Sequence, residues 1–345
     1  MRFIAVGDPH FTDSRGLGGL SAYIKNPDEF VANEIRKACD YATKKGVKWV
    51  FLLGDICQSP VMSVEAHRQL LSLISDYPDL RFVGILGNHD LKGEVDELGH
   101  SMQLMCDINK AFKGSNLYMF TKPAYKTIED ERFYFLPWPH SKFDDEAINI
   151  AHVEVDGATT DNGRLHEGGD DSDAQAIVGH LHTKHSVRST HYAGTLYQTG
   201  FGETEEKYFL DCTVIKNTLE VEAIRTWPKY VLRTLRWGVD IDATNIESVA
   251  VPTIEKTNQT VLYRIQYRTG DVLPSNLPNH IVKTQRIKTD YNEPDPVFQL
   301  EQTALTRDID LDSMFVAFFK ESGYTQKQTS SLMNLREAIL SGDIK

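Results

Sequence analysis

The chain is short of positive charge, of cysteine and of long apolar runs. Lys and Arg number 37 against 49 Asp and Glu, for a net charge of −12. That balance is wrong for a protein that grips a duplex unaided, because phosphate contacts need Lys and Arg. A phosphodiester substrate is still compatible with it, since bound divalent ions offset carboxylates locally, but extended DNA contacts would then come from a partner. The four cysteines, Cys39, Cys57, Cys106 and Cys212, form no Cys-x-x-Cys pair and no dense framework. They fit a reducing, cytoplasmic environment. No apolar run approaches the ~18–20 residues that span a bilayer. The N-terminus meets Asp8 too soon to read as a signal peptide.

With 345 residues, 41% of them hydrophobic, the chain has the length for one large core and a smaller second domain. Residues 2–7, 47–53 and 80–86 are short apolar runs that read as buried strands. Between them, 28–45 and 63–77 carry apolar residues at helical spacing, with Asp28 and Ser63 as expected N-caps and Gly46 as a stop. This strand–helix alternation predicts an α/β layered fold, in which ligands gather at the carboxyl ends of the strands. Residues 97–112 read as a further helix. Beyond them come short strands at 132–137, 147–155, 174–178, 191–198, 208–214 and 219–225, with a Gly/Asp-rich loop at 157–173. Two packed sheets with helices outside are therefore expected. Trp227-Pro228 marks a boundary. The expected division is residues 1–227 for the main domain, 228–290 for a small capping and DNA-contact domain that includes a strand at 260–268, and 291–345 for a linker and C-terminal helices. In the last, Leu311, Met314, Phe315, Phe318 and Phe319 fall on one helical stripe.

The polar clusters follow the strands. They are Asp8-Pro9-His10, Gly54-Asp55, Gly87-Asn88-His89-Asp90, a single His152 after Ile148-Asn149-Ile150-Ala151, and Gly179-His180-Leu181-His182. Any one of them is ordinary turn chemistry. Five in succession, each closing an apolar strand, are not. Two divalent ions ~3.5–4 Å apart share one carboxylate and need about seven protein ligands. Asp8, His10, Asp55, Asn88, His152, His180 and His182 supply that number and leave His89 for proton transfer.

This series resembles the calcineurin-like metallophosphoesterases. Within them it is most similar to the SbcD-type nuclease subunit, partner of an SbcC-type ATPase in DNA-end processing, repair and recombination, including the short bacteriophage versions. Gly54-Asp55-Ile56-Cys57, the helix after Ser63, Leu136-Pro137-Trp138 and the stretch from Gly179 to Thr195 carry the likeness to the nuclease branch. The resemblance implies a two-sheet α/β sandwich flanked by helices, a small α+β capping domain and C-terminal helices. It also implies two metal ions, Mn²⁺ with Mg²⁺ as the alternative. Asp8, His10, Asp55 and His182 would hold one ion, and Asp55, Asn88, His152 and His180 the other. His89 would donate a proton to the leaving oxygen, and Asp90 would orient His89. DNA and, through residues 310–340, an SbcC-type ATPase are the implied partners, with a homodimer through the helices at 63–77 and 97–112, in a bacterial or phage-infected cytoplasm.

Two positions depart from the pattern. Some nucleases carry a histidine three residues after the bridging aspartate, where this chain has Gln58, which cannot shuttle a proton. Protein phosphatases carry Asp-Arg-Gly after the Gly-Asp motif, where this chain has Gln58-Ser59-Pro60. A cyclic-nucleotide phosphodiesterase of the same fold and an inactive scaffold for the ATPase are the rival readings.

Overall fold

A computed structural model describes residues 1–11, 23–93, 99–111, 116–161, 163–246, 259–274, 277–279 and 281–287. The chain divides into two compact units. One comprises Met1–Gln266 with Val272–Gln285, and the other Tyr267–Asp271 with Arg286–Lys345. The expected helices at 310–340, with the Leu311–Phe319 stripe, lie outside the described residues.

The chain begins with β1 (Arg2–Val6), α1 (Pro27–Lys45), β2 (Trp49–Leu52), α2 (Val64–Asp76), β3 (Arg81–Ile85), α3 (Gln103–Ala111) and β4 (Leu117–Phe120). It continues through β5 (Ala124–Ile128), β6 (Glu131–Leu136), β7 (Ile148–His152), β8 (Ala176–Gly179), β9 (His185–Val187) and β10 (Thr190–Tyr192). Then come β11 (Tyr208–Ile215), β12 (Thr218–Arg225), β13 (Tyr230–Arg236), β14 (Thr260–Arg268) and β15 (Ile281–Ile287). One sheet has the order β12-β11-β1-β2-β3-β4 and a second the order β5-β6-β7-β8-β10-β9. A third, smaller sheet has the order β13-β14-β15. The expected two-sheet sandwich is what forms.

Why these segments make a sandwich follows from strand periodicity, since successive side chains point to opposite faces. In β1, Phe3 and Ala5 join the apolar layer between the two sheets, where Phe51, Phe133 and Phe135 also lie. Ile4 and Val6 face the other way, into the layer beneath α1 and α2 with Val31, Ile35, Leu70 and Leu73. Both faces of the parallel strands β1, β2 and β3 are thus covered, so they read as continuous apolar runs. Their register is plain: Ile4 opposes Val50, and Val50 opposes Phe82. The phenyl rings of Phe3 and Phe51 stack at 4.3 Å, and burying each contributes about 1.5–3 kcal/mol.

Helix ends show where local chemistry wins. Ser63 caps α2 as expected, its hydroxyl accepting from the Ala66 amide at 3.0 Å. The N-cap of α1 is Asn26 rather than Asp28, because Pro27 takes the first helical turn, where its missing N–H costs nothing. Asp28 is buried and accepts from the Ser63 hydroxyl at 3.3 Å, linking the two helix starts. Gly46 closes α1 in the left-handed region. The third helix starts at Gln103, later than the expected residue 97. No helix among the described residues is long and apolar enough to cross a membrane.

Candidate metal centre

Five strands, β1, β2, β3, β7 and β8, deliver the polar clusters to one end of the sandwich. The loop after β1 runs beside the loop after β2, joined by His10 N to the Asp55 carbonyl at 2.9 Å and Phe11 N to the Ile56 carbonyl at 2.8 Å. The Tyr197 hydroxyl donates to the Pro9 carbonyl at 2.8 Å and anchors that loop from below. To turn their side chains inward, Asp8, His10, Asp55 and His180 adopt left-handed backbone, with φ of 43°, 51°, 44° and 88°. For residues that are not glycine this is strained by roughly 1–3 kcal/mol each, a cost that collects at functional sites. Gly87 has the opposite reason: a Cβ there would overlap the carboxylate and amide of Asp55.

All seven candidate ligands come together. Asp8, His10 and His182 form one group and Asp55, His152 and His180 another, each with its ligand atoms within 4.8 Å of one another. Asn88 Oδ1 joins the second group, 3.1 Å from His152 Nε2 and 3.0 Å from His180 Nδ1. The groups adjoin: His152 Nε2 is 3.3 Å from Asp55 Oδ2, and its Nδ1 is 3.7 Å from Asp8 Oδ1. His10 Nε2 and His182 Nε2 face each other at 3.1 Å. Asp8 and His152 are fully buried, and His10 and Asp55 nearly so.

The electrostatics of this cluster call for positive charge. Burial pushes Asp8 up to about 7, and neighbouring Asp55 adds to the rise. Burial also pushes His10 down to about 3. For His152, burial acts downward, but the carboxylates of Asp55 and Asp8 override it and raise the imidazole to about 9. Asp55 itself is held below the usual carboxylate range; burial opposes this, and the charge and hydrogen bond of His152 prevail. A divalent cation satisfies this donor set. It lets both buried carboxylates ionise and accepts the inward lone pairs of neutral imidazoles. His152 is set up for that, since its Nδ1 points at the Leu53 carbonyl, 2.7 Å away, leaving Nε2 to face inward.

His89 stands apart from both groups, its side chain 41% exposed and its Nε2 4.0 Å from Asp55 Oδ2. Its amide donates to Asp55 Oδ1 at 2.8 Å. Asp90, expected to orient His89, does something else. Its carboxylate accepts from the amides of Ile56, Cys57 and Gly87 at 3.1, 2.9 and 2.9 Å and from the Ser101 hydroxyl at 2.8 Å. Fully buried, it is raised to about 6 by desolvation and by Asp55. Asp90 therefore ties the β2 and β3 loops together. It turns beneath the Gly-Asn-His-Asp turn, where unpaired amides are waiting, and His89 turns outward. The group that holds His89 is Gln58: His89 Nδ1 lies 3.1 Å from the Gln58 carbonyl and 3.4 Å from its side-chain amide. A bond to a carbonyl requires the proton on Nδ1, so Nε2 is the nitrogen free to exchange protons.

Several residues have roles at the site that the motifs do not give. Trp138, in the Leu-Pro-Trp stretch, stacks on His180 at 5.4 Å. Glu154 lies behind His180, and Glu203 with Lys207 behind His182. Glu154 and Glu203 look like solvent carboxylates in the sequence; it is the structure that buries Lys207, at 4% exposure, against Glu203.

No curated protein matches the chain. The model of the calcineurin-like phosphoesterase domain matches residues 1–184, more than half of the 345 and every strand end just described. The members of that family are metal-dependent hydrolases of phosphoester bonds. With the sandwich, the two ligand groups and this match in agreement, the chain belongs to the calcineurin-like phosphoesterases.

Proposed function

We propose that the chain is a two-metal DNA phosphodiesterase of the SbcD type. Asp8, His10, Asp55 and His182 would hold one ion, and Asp55, Asn88, His152 and His180 the other, with Asp55 shared. Divalent ions bound there would polarise the phosphoester and activate a water for attack. The chain's own residues do the rest. The Asp55 carboxylate fixes the His89 amide, and the Gln58 carbonyl fixes the His89 ring, so that Nε2 delivers a proton to the departing sugar oxygen. Trp138 covers one face of His180 and limits how far that ring can swing.

The observation that favours DNA over a small ester is the third sheet. Residues 228–290 hold nine Lys or Arg against six Asp or Glu, in a chain whose total is −12. That sheet is fastened to the loop after β10. The Leu232 amide donates to Gln198 Oε1 at 2.8 Å, and the Arg264 guanidinium lies over Phe201 at 5.3 Å. The same loop carries Glu203, which contacts His182. A basic module held against a metal-site loop is suited to guiding a polyanion, and phosphate contacts by Lys and Arg position such substrates. The SbcC-type ATPase belongs to the proposal as the partner of residues 310–340, whose aromatic stripe has the composition of helix-in-groove anchors.

The test is hydrolysis of linear duplex DNA, bis-p-nitrophenyl phosphate and cyclic nucleotides, each with Mn²⁺, with Mg²⁺ or with chelator. The proposal expects metal-dependent cleavage of DNA and of the p-nitrophenyl diester, abolished by chelator. Turnover of cyclic nucleotides alone would establish the small-molecule rival, and no turnover of any substrate would establish the inactive scaffold.

Gln58 supplies a further expectation. Its side chain lies beside His89, exposed at the mouth of the site. Gln58→His places a second titratable ring there while keeping the backbone carbonyl that holds His89. Degradation from DNA ends should rise severalfold more than nicking of closed circles. Equal changes on the two substrates would show that position 58 does not set the balance between them.

A further inference from the structure

The four histidines of the metal centre are not supported alike on the nitrogen that faces away from it. His152 Nδ1 has the Leu53 carbonyl at 2.7 Å. His180 Nε2 has Glu154 Oε1 at 3.5 Å, and Glu154 Oε2 is in turn 2.8 Å from His166 Nδ1. In the other group, His10 Nδ1 is buried and has no hydrogen-bond partner among the described residues. His182 is the ring of that group with outside support: its Nδ1 lies 3.1 Å from Glu203 Oε1 and 3.2 Å from Thr199 Oγ1.

Glu203 is itself held on every side. The Thr199 hydroxyl donates to Oε1, as does the Thr199 amide at 3.2 Å. Lys207 pairs with Oε2, and its ammonium also donates to the His182 carbonyl at 3.1 Å. Burying a lysine is costly unless its charge is paired and hydrogen-bonded. Both partners of Lys207 are His182 or the carboxylate that holds His182. An imidazole between a carboxylate and an ion has its proton assigned by the carboxylate, and loss of such a partner typically weakens metal binding 10–100-fold.

We infer that Glu203 is a positioning residue for the Asp8–His10–His182 group. It keeps the proton of His182 on Nδ1 and turns the Nε2 lone pair toward Asp8 and His10, and Lys207 is the buried counter-charge that holds Glu203 in place. Among the described residues His10 has no such support, so affinity at this group depends on Glu203, whereas the Asp55–His152–His180 group has its own supports in Leu53 and Glu154. The inference rests on the two-metal reading.

Mn²⁺ titration of the full chain by calorimetry and electron paramagnetic resonance tests both. The wild type should bind two ions. Glu203→Ala should weaken one of them by about 10–100-fold and leave the other unchanged. Glu203→Gln with Lys207→Met keeps an acceptor for Nδ1–H without stranding an ammonium, and should recover most of the lost affinity. Nitrogen-15 shifts of the metal-free protein give a second readout: His182 should report a protonated Nδ1 in the wild type and the Gln/Met variant, and a mixed population in Glu203→Ala. Equal weakening of both ions, or unchanged affinity and tautomer, would overturn the inference while leaving the two-metal reading intact. A wild type that binds fewer than two ions would overturn that reading, and this inference with it. If Glu203→Ala does not fold, the Gln/Met variant decides: the inference requires its Nδ1 proton and its two ions to persist, and a loss of either overturns it.

Discussion

Asp55→Ala should strip the chain of bound divalent metal and of phosphodiesterase activity together. Asp55 is nearly fully buried where the two ligand groups adjoin, its carboxylate 3.3 Å from His152 in one group and its backbone carbonyl accepting from the His10 amide of the other at 2.9 Å. With the ligands assigned as proposed, its removal would leave neither ion a full set of donors, and the remaining imidazoles would lose the carboxylate that makes positive charge favourable there. The same change deletes the acceptor of the His89 amide. Asp55→Asn separates these effects, since an amide oxygen still accepts that bond and keeps the loop shape while the charge is gone. Both variants should show no bound Mn²⁺ by elemental analysis after desalting, and hydrolysis at the chelator baseline. Either variant retaining two ions per chain would show that Asp55 is not the shared ligand. Gly87→Ala should resemble Asp55→Ala in kind, because a methyl group there displaces the Asp55 carboxylate and amide.

The parts of the fold that were legible in the sequence are those whose side chains have no choice. β1, β2 and β3 are apolar on both faces because helices cover one face and the second sheet the other, so a short unbroken run ending in Gly or Pro identifies each. β4 and β5 were not legible. Each is a sheet edge, with Tyr118 exposed in the one and Tyr125, Lys126 and Thr127 in the other; half-solvated edges lack the pattern that periodicity detects. At α1 the dipeptide Asn26-Pro27 outranked Asp28 as a start signal, since proline suits the first turn. In the candidate site, ligand-type residues were legible because each follows a strand and carries Asp, Asn or His. Roles that depend on where a side chain turns were not. Asp90 and His89 are neighbours in sequence, yet one is drawn under the turn by four donors and the other is turned out to Gln58. Glu154, Glu203 and Lys207 lie on loops whose partners are set only by tertiary contact, which no local spacing encodes.

His89→Ala should keep both metal ions and lower turnover of DNA by about 10²–10⁴, the usual contribution of a positioned general acid. The ring belongs to neither ligand group; it is half-exposed, and its Nε2 faces the site from 4.0 Å beyond Asp55 Oδ2. The size of the loss should depend on the leaving group. A sugar alkoxide is a strong base and departs poorly without a proton, whereas p-nitrophenolate is a stable anion that needs little help. Turnover of bis-p-nitrophenyl phosphate should therefore fall far less than turnover of DNA in the same variant. Gln58→Pro, in which the carbonyl that holds the His89 ring is displaced by the altered backbone, should move activity in the same sense but by less, because the imidazole is still present. Steady-state rates on the two substrates, with metal content measured on the same samples, decide the role. If the two rates fall equally with both ions retained, His89 is not the acid and acts on binding instead. If an ion is lost with the ring, His89 is a ligand, and the proton must come from another group.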